Sequence, residues 1–384
     1  MKFMIENIGK FVELRKDIHK NPDLSGNESN TAKKISDFIN QFKPDNVISN
    51  IGGDGIAFIF NFSDKGKTVL FRSELDALPI QEINSFEYRS CKSKVSHKCG
   101  HDGHMAVLAG FASLLSKNKF KNGKVILLFQ PAEETGKGAE RILNDEKFKK
   151  LAPDYFFAFH NLPGFDSSEI VFKSGNFASA SKGLIVKLTG KTSHAAEPDK
   201  GVSPVIAVGE LINAFSSLVE VNSHKLSDFC LITIIHIKVG EKAFGTSPGH
   251  AEVMATLRSY RDDDMEIISN ITKELISDIA EKNNLKFEVS WTEKFPATIN
   301  NEAVVKYVEY AAEENGFKNQ KIKFPFRWSE DFGHFTGKYQ GCLFGIGAGK
   351  NHPDLHNPDY DFPDEIIETG IKMFYSIAKK ILRE

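Results

Sequence analysis

The strongest constraint on the fold of this 384-residue chain is a change in the order of its predicted elements near Lys182. Before that point, apolar strand-like runs alternate with helices, which is typical of a parallel or mostly parallel sheet. After it, the order βαββαβ indicates a ferredoxin-like α+β unit with one open sheet face, and helices and strands resume from Asn301. A chain of this length exceeds the size at which single cores usually stop growing. We therefore predict a larger α/β domain, residues 1–178 and 296–384, that is split by a smaller inserted domain, residues 179–295.

The predicted elements indicate where a site can form, because ligand sites in parallel sheets gather beyond the carboxyl ends of the strands. For the split domain we expect helices at about Ile5–Lys20, Ser29–Phe42 and His104–Ser116, and strands at Ile56–Asn61, Thr68–Arg72, Val125–Gln130 and Tyr155–Phe159. For the inserted domain we expect strands at Leu184–Leu188, Leu231–Val239, Glu252–Tyr260 and Lys286–Trp291, and helices at Val202–Val219 and Met265–Asn283.

Composition argues against several classes of protein. The formal net charge is -2, and no basic block provides a footprint for nucleic acid or an anionic membrane. The segment Met1–Lys20 lacks the apolar centre of a signal peptide, and no stretch reaches about 18 apolar residues. The four cysteines have neither a CxxC pair nor disulfide-framework spacing. We therefore expect a soluble, unexported, cytoplasmic protein with free thiols.

The segment Ser96–His104 concentrates groups that carry chemistry. It holds one thiol, three imidazoles and one carboxylate. Thiolate and neutral imidazole are preferred ligands of Zn²⁺ and its transition-metal neighbours. The segment alone leaves three interpretations open: a metal site, a nucleophilic Cys99–His pair, and a coincidental surface loop.

Carboxylates follow two of the predicted strands. Glu74 and Asp76 come after one strand, and Glu133 and Glu134 follow the next. Since adjacent side chains leave the backbone in different directions, one of the paired glutamates can bind a metal while the other faces water or substrate. A metal-dependent hydrolase needs both a hard ligand and a general base. Paired acids are also commonly no more than solvated surface residues.

Further imidazoles lie near strand ends and in a loop. His160 follows the predicted strand Tyr155–Phe159, and His352 and His356 lie in a proline-rich loop near the C-terminus. Loops held by a rigid scaffold commonly supply ligands. A single histidine at such a position is otherwise more often structural.

Together these segments resemble the metal-dependent amidohydrolases that include aminoacylases, hippurate hydrolases and auxin-conjugate hydrolases, within the aminoacylase/dinuclear carboxypeptidase superfamily. The resemblance implies a zinc-exopeptidase-like catalytic domain with an inserted lid and dimerisation domain. The motifs that carry it run almost end to end and in family order: Leu14–Ser25, Arg72–Ile80, Cys99–His104, Gln130–Glu134, His160–Pro163, Ser193–Pro198, Ser329–Phe332 and His356–Pro358.

The resemblance also implies residue roles. Glu133 would be the general base, which takes a proton from the attacking water and passes it to the leaving amine. His194 of the inserted domain would reach the partner's active site in a homodimer and hydrogen-bond the developing oxyanion. Two divalent ions per subunit would be bound by Cys99, His101, Glu134, His160 and His356. Zn²⁺, Mn²⁺, Co²⁺ and Ni²⁺ all suit this donor set.

Four more residues are candidates for supporting roles. Asp76 and Asp102 are acids that can orient a ligand imidazole, although turn capping explains them equally well. Arg258 and Arg327 can each pair with a substrate carboxylate in a bidentate manner, although an ordinary surface arginine is the commoner case.

Two positions depart from the family pattern. Glu74 stands where the family usually has Asp, and Gly245 replaces the asparagine of an Asn-Val-Ile-Pro-like segment that helps to bind substrate.

The leading hypothesis is a metallo-amidohydrolase acting on N-acyl amino acids or related small amides. The alternatives are a dipeptidase or carboxypeptidase on the same scaffold, a metal-independent Cys99 hydrolase, and a degenerate binding protein.

Overall fold

A computed structural model describes residues 7–382. Its contacts divide the chain into two compact units. The first unit comprises the residues up to Phe177, Thr298–Pro325 and those from Glu330 onward. The second comprises Ala178–Ala297 together with Phe326–Ser329.

The helices are α1 (Gly9–Lys20), α2 (Ser29–Asn40), α3 (His101–Lys117), α4 (Gly138–Asn144), α5 (Glu146–Lys149), α6 (Val205–Val221), α7 (Asp262–Lys282), α8 (Glu302–Asn315), α9 (Gly333–Thr336) and α10 (Ile366–Leu382). The strands are β1 (Asn46–Ile51), β2 (Gly55–Asn61), β3 (Thr68–Glu74), β4 (Lys124–Gln130), β5 (Tyr155–Pro163), β6 (Ile170–Phe172), β7 (Gly175–Ala178), β8 (Ala180–Thr189), β9 (Ser193–His194), β10 (Cys230–Val239), β11 (Thr246–Ser247), β12 (His250–Ser259), β13 (Lys286–Phe295), β14 (Thr298–Asn300), β15 (Asn319–Lys321) and β16 (Gln340–Gly349).

The first unit is built on an 8-stranded mixed sheet in the order β1-β2-β4-β3-β5-β16-β6-β15. Its centre is parallel, because β3 pairs in parallel with β4 and β5, and β5 pairs in parallel with β16. The outer strands β1, β2 and β6 make antiparallel pairs. The central strands are buried over nearly their whole length, as expected for strands covered on both faces. The prediction of a mixed, mostly parallel sheet flanked by helices is confirmed.

Helices α1, α3 and α10 pack together with this sheet around one hydrophobic core. Helix α3 is apolar on most of its circumference and is buried from His101 to Leu115, which is the pattern of a helix enclosed by other elements. Among the described helices, none is long and apolar enough to cross a membrane.

Three element boundaries differ from the sequence prediction near the candidate site, and the first is the end of β3, which continues through Glu74 instead of ending at Arg72. Helix α3 begins at His101 and not at His104, and β5 continues through His160 to Pro163. The sequence predicts shorter elements because the polar residues at these boundaries are typical of loops. In the folded protein these residues are buried, and the helix and the strands continue through them. The predicted start of the first helix at Ile5 lies outside the described residues, and α1 begins at Gly9.

The second unit has the predicted ferredoxin-like order. Its sheet runs β10-β12-β8-β13, with antiparallel pairs throughout, and α6 and α7 pack on it. Burial alternates along β12, so one face of the sheet meets the helices and the other is more open. The edge strand β10 exposes Leu231, Ile235 and Ile237.

Candidate metal centre

The five candidate ligands come from four segments of the first unit that meet near the carboxyl ends of its parallel strands. Cys99 directly precedes Gly100, the N-cap of α3, and His101 begins that helix. Glu134 lies in the turn after β4, His160 lies within β5, and His356 lies in the loop after β16. A parallel sheet thus brings residues that are distant in sequence to one edge.

These side chains fall into two overlapping groups. Donor atoms of Cys99, His101 and His160 lie within 4.8 Å of one another, and so do those of Cys99, Glu134 and His356. The Cys99 Sγ atom is 3.5 Å from His160 Nε2. Glu134 Oε1 is 3.8 Å from His101 Nε2, and Glu134 Oε2 is 3.8 Å from His356 Nε2.

The donor atoms fit divalent metal ions. Among the described residues, His101 Nε2 and Glu134 Oε1 are buried polar atoms without a hydrogen-bond partner, an arrangement that is costly unless another group satisfies them. The opposite ring nitrogens are held, because His101 Nδ1 lies 2.9 Å from the Asp76 carbonyl oxygen and His160 Nδ1 lies 3.0 Å from that of Asn161. Such contacts fix the Nε2 atoms toward a metal. The mixed sulfur, nitrogen and oxygen set suits Zn²⁺ and its neighbours.

The electrostatic field of the site also favours a cation. Although burial opposes its charge, Glu74, Asp76 and Glu134 raise the pKa of His101 to about 10. Burial together with Glu134 and Glu133 raises the pKa of the Cys99 thiol well above its usual value. A nucleophilic cysteine needs the opposite environment, one that stabilises its thiolate. These surroundings argue against the metal-independent Cys99 hydrolase.

The backbone around the ligands adopts uncommon conformations. Gly100 has φ +95°, and a Cβ atom there would lie 2.5 Å from Asn161 Oδ1. Ala132, before the paired glutamates, and His356 itself have φ of 53° and 67°. Non-glycine residues rarely adopt this left-handed region, and such strain tends to gather at functional sites.

Glu133 is buried beside two further acids. Donor atoms of Glu133, Glu330 and Asp331 lie within 4.8 Å of one another, and Glu133 Oε2 is 3.8 Å from His101 Nε2. Burial and the charge of Glu330 raise the pKa of Glu133 well above its usual value. Glu133 is thus a second buried carboxylate beside the candidate ligands, and a general base for an attacking water must lie at such a position.

Arg72 holds this acidic group together. Its buried guanidinium lies 2.9 Å from Glu330 and 2.8 Å from Asp331 and also contacts Glu74. Glu74 in turn lies 2.6 Å from His104 Nδ1. The departure at Glu74 therefore places a carboxylate between an arginine and a histidine. Sequence reasoning assigned no role to Arg72, His104, Glu330 or Asp331, although the motifs at Arg72–Ile80 and Ser329–Phe332 contain three of them.

The two candidate supporting acids differ in their contacts. The Asp76 carboxylate accepts hydrogen bonds from Ser25 Oγ at 2.7 Å and from the Glu134 amide at 3.0 Å, so it anchors the turn that carries Glu134. The Asp102 carboxylate instead lies 2.8 Å from His19 Nδ1 and 3.6 Å from Arg15 Nη1. Successive helical residues point in different directions, which turns Asp102 toward α1 and away from the candidate ligand imidazoles.

The His19 contacts predict a pH-dependent stability. Although burial opposes its charge, Asp102 and Glu82 raise the pKa of His19 from 6.5 to about 9. Protonated His19 therefore stabilises the folded state fully below pH 6.5, and this contribution, about 3 kcal/mol, is lost as the pH rises through about 9. The difference in unfolding free energy between the wild type and His19→Gln, measured by urea denaturation, should shrink over that range. The exposed His224 provides the control variant His224→Gln, and a difference for His19→Gln that stays constant with pH would contradict the assignment.

The remaining candidates lie in the second unit. His194 is exposed on β9, where it pairs with Thr246, and its Nδ1 accepts a hydrogen bond from the Ala196 amide at 3.1 Å. Arg258 Nη1 donates to Ser329 Oγ at 2.9 Å and to the Arg327 carbonyl at 3.1 Å. At Gly245, no heavy atom lies within 4 Å of the position that a Cβ atom would occupy, so a larger residue would have room there.

Comparison with known proteins identifies the family. A family model described as peptidase family M20/M25/M40 matches residues 70–380. The hippurate hydrolase of Campylobacter jejuni is 30% identical over 377 residues, which cover 98% of this chain and 97% of that protein. The N-acetyldiaminopimelate deacetylase of Bacillus velezensis is 26% identical over 371 residues, which cover 97% of this chain and 98% of that protein.

A solved structure agrees with the fold. A Bacillus subtilis protein described as a dinuclear metal-binding peptidase from the M20 family superposes with a TM-score of 0.81 at 23% identity, over 98% of both chains. The sequence matches confirm the expected enzyme class of metal-dependent amidohydrolases. From its family match over residues 70–380 and its near-complete alignment with the hippurate hydrolase, the chain belongs to peptidase family M20/M25/M40.

Proposed function

We propose that the protein hydrolyses the amide bond of N-acyl amino acids or related small amides, with Glu133 as general base beside two divalent ions. The ligands are the five candidates on the first unit. The observation that carries the proposal is the convergence of their donor atoms next to a second carboxylate, with Glu133 Oε2 3.8 Å from His101 Nε2.

The metal ions and Glu133 would have different roles in the reaction. When bound, a pair of divalent ions polarises an amide carbonyl and makes water a stronger nucleophile near neutral pH. A carboxylate oxygen of Glu133 accepts a proton from the attacking water. Glu133 then gives this proton to the nitrogen of the leaving amine. The position of Glu133 supports this two-way transfer, since its Oε2 lies 3.8 Å from Nε2 of the candidate ligand His101 and a general base must lie within reach of the proton that it moves.

The substrate class is supported by the names of the relatives. These include a hippurate hydrolase and an N-acetyldiaminopimelate deacetylase, both of which act on acylated amino acids. Among the described residues of the second unit, no carboxylate pairs with Arg258. Its guanidinium donates hydrogen bonds to the Ser329 hydroxyl and to the Arg327 carbonyl. We propose that Arg258 binds the carboxylate of the substrate, since a guanidinium held in place can donate two parallel hydrogen bonds to a carboxylate.

A substrate panel tests the activity. N-acetyl and N-benzoyl amino acids should be hydrolysed, and the same amino acids in unacylated dipeptides should react at least tenfold more slowly. The reverse preference would replace the proposal with a dipeptidase on the same scaffold. Hydrolysis of neither class by the metal-loaded protein would contradict both.

We also propose a homodimer in which His194 acts in the partner's site. The exposed His194 and the exposed apolar side chains of β10 support it. Glu133→Gln and His194→Ala should each be inactive alone. After subunit exchange at equal amounts, half of the dimers are mixed and each has one intact site, so activity should return to about a quarter of the wild-type value. No recovery in dimers shown to have exchanged would contradict action between subunits.

A further inference from the structure

We propose that Lys98 is a positioning residue that sets the metal affinity of the group formed by Cys99, Glu134 and His356. The inference rests on the proposed function, since it assumes that this group binds a divalent ion. It concerns a lysine for which neither the sequence motifs nor the family resemblance suggests a role.

Lys98 is buried with all its hydrogen-bonding capacity used. Its side chain is 0% exposed. The ammonium donates to Glu82 Oε1 at 2.6 Å, to Asn84 Oδ1 at 3.0 Å and to the Tyr360 carbonyl at 2.7 Å. An ammonium has three donors, so each N–H has one acceptor. Lysine is almost never fully buried without such pairing.

Both ends of Lys98 bind the loop that carries His356. The Lys98 carbonyl accepts a hydrogen bond from the His356 amide at 2.7 Å, and the ammonium binds the carbonyl of Tyr360 farther along the loop. Because Cys99 is the next residue, this double attachment sets the distance between Cys99 and His356, which belong to the same donor group.

The segment that receives the ammonium binds the same loop. The Ile83 amide donates to the Pro358 carbonyl at 3.2 Å, and Asn84 Nδ2 donates to the Asp359 carbonyl at 2.9 Å. Lys98 thus joins two segments that both hold the loop, and its contact with Glu82 fixes one to the other. Loss of the ammonium leaves the Glu82 carboxylate, 3% exposed, with one fewer partner and releases one carbonyl of the loop.

His356 depends on this support more than the other candidate imidazoles do. Its side chain is 52% exposed, whereas that of His101 is 1% exposed, and its backbone has the uncommon φ of 67°. His101 and His160 lie in regular, buried elements. We therefore expect loss of Lys98 to weaken the group that contains His356 and to spare the group of Cys99, His101 and His160.

Metal titration of Lys98→Met tests this without relying on catalysis. The metal-free full chain is titrated with Zn²⁺ and with Co²⁺ in competition with a chelator, and bound metal is counted per chain. One of two ions should bind about 10–100-fold more weakly, as is usual when a group that supports a ligand is lost, and the other should stay within about threefold. The near-ultraviolet thiolate-to-Co²⁺ absorption of the tighter ion should be retained. Lys92→Met is the matched control, because Lys92 binds Asp23 at 2.6 Å from the same segment and should leave both affinities unchanged.

Further variants separate positioning from general destabilisation. Adding Glu82→Gln to Lys98→Met removes the charge of the carboxylate that has lost its ammonium partner, so this double variant covers the case in which the single variant does not fold. Combining Lys98→Met with His356→Ala should weaken the affected ion no further than His356→Ala alone, since Lys98 acts through the loop of that residue. Folded Lys98→Met with two wild-type affinities overturns the proposal, and so does failure of both Lys98 variants to fold. A wild-type protein that binds no divalent ion instead overturns the proposed function itself.

Discussion

Replacement of Glu133 by glutamine is expected to lower kcat by about 10²–10⁴-fold, the usual contribution of a general base, while both metal ions stay bound. Glutamine preserves the shape of the side chain beside Glu330 and Asp331 but cannot accept the proton of the attacking water. Metal content and KM should therefore remain near their wild-type values. Steady-state kinetics on an N-acyl amino acid, together with elemental analysis of the same sample, measure both effects.

The control for this variant is another acid of the first unit. Glu146 is 78% exposed on the surface, so Glu146→Gln should leave kcat unchanged. A metal-loaded Glu133→Gln with a near-wild-type rate would exclude Glu133 as the base. Loss of a metal ion from that variant would instead indicate that Glu133 is a ligand.

Replacement of Cys99 by alanine is expected to reduce the metal content from two ions per chain to one or none. The reason is that Cys99 belongs to both donor groups. Loss of a group that supports a ligand usually lowers metal affinity about 10–100-fold, and loss of the Cys99 ligand itself should lower it further. The rate of hydrolysis should fall as the metal is lost. Metal content after dialysis against a weak chelator measures the effect.

Cys342 provides a matched control for the thiol. It is 0% exposed in the core of the first unit, and Cys342→Ala removes a buried sulfur without touching the candidate site. This variant should keep both ions and lose only stability. Equal metal loss in the two variants would mean that Cys99 acts through packing, and full retention in Cys99→Ala would exclude it as a ligand.

The sequence supports prediction of the architecture because the evidence for it is local. Apolar runs mark β3, β4 and β5, and the switch to βαββαβ marks the second unit. The positions of the five candidate ligands follow from the same logic, because the parallel centre of the sheet gathers strand ends. The structure brings these residues together, and their role as ligands stays a prediction.

Other features depend on contacts between distant segments, which periodicity does not report. Asp102 binds His19 of α1, so a residue next to a candidate ligand serves the packing of two helices. Lys98 meets Tyr360, which is 262 residues away in sequence. Strand β1 was not predicted, because most of its residues are exposed and its apolar residues do not alternate regularly with polar ones.

Metal removal and restoration test whether hydrolysis depends on the two proposed divalent ions. The protein is stripped with a chelator and assayed on its best N-acyl amino acid, before and after addition of Zn²⁺, Mn²⁺, Co²⁺ or Ni²⁺. We expect hydrolysis to disappear on chelation and to return with at least one of these ions, at two ions per chain. Hydrolysis that survives complete metal removal but is abolished by thiol alkylation would contradict it and favour a Cys99 nucleophile.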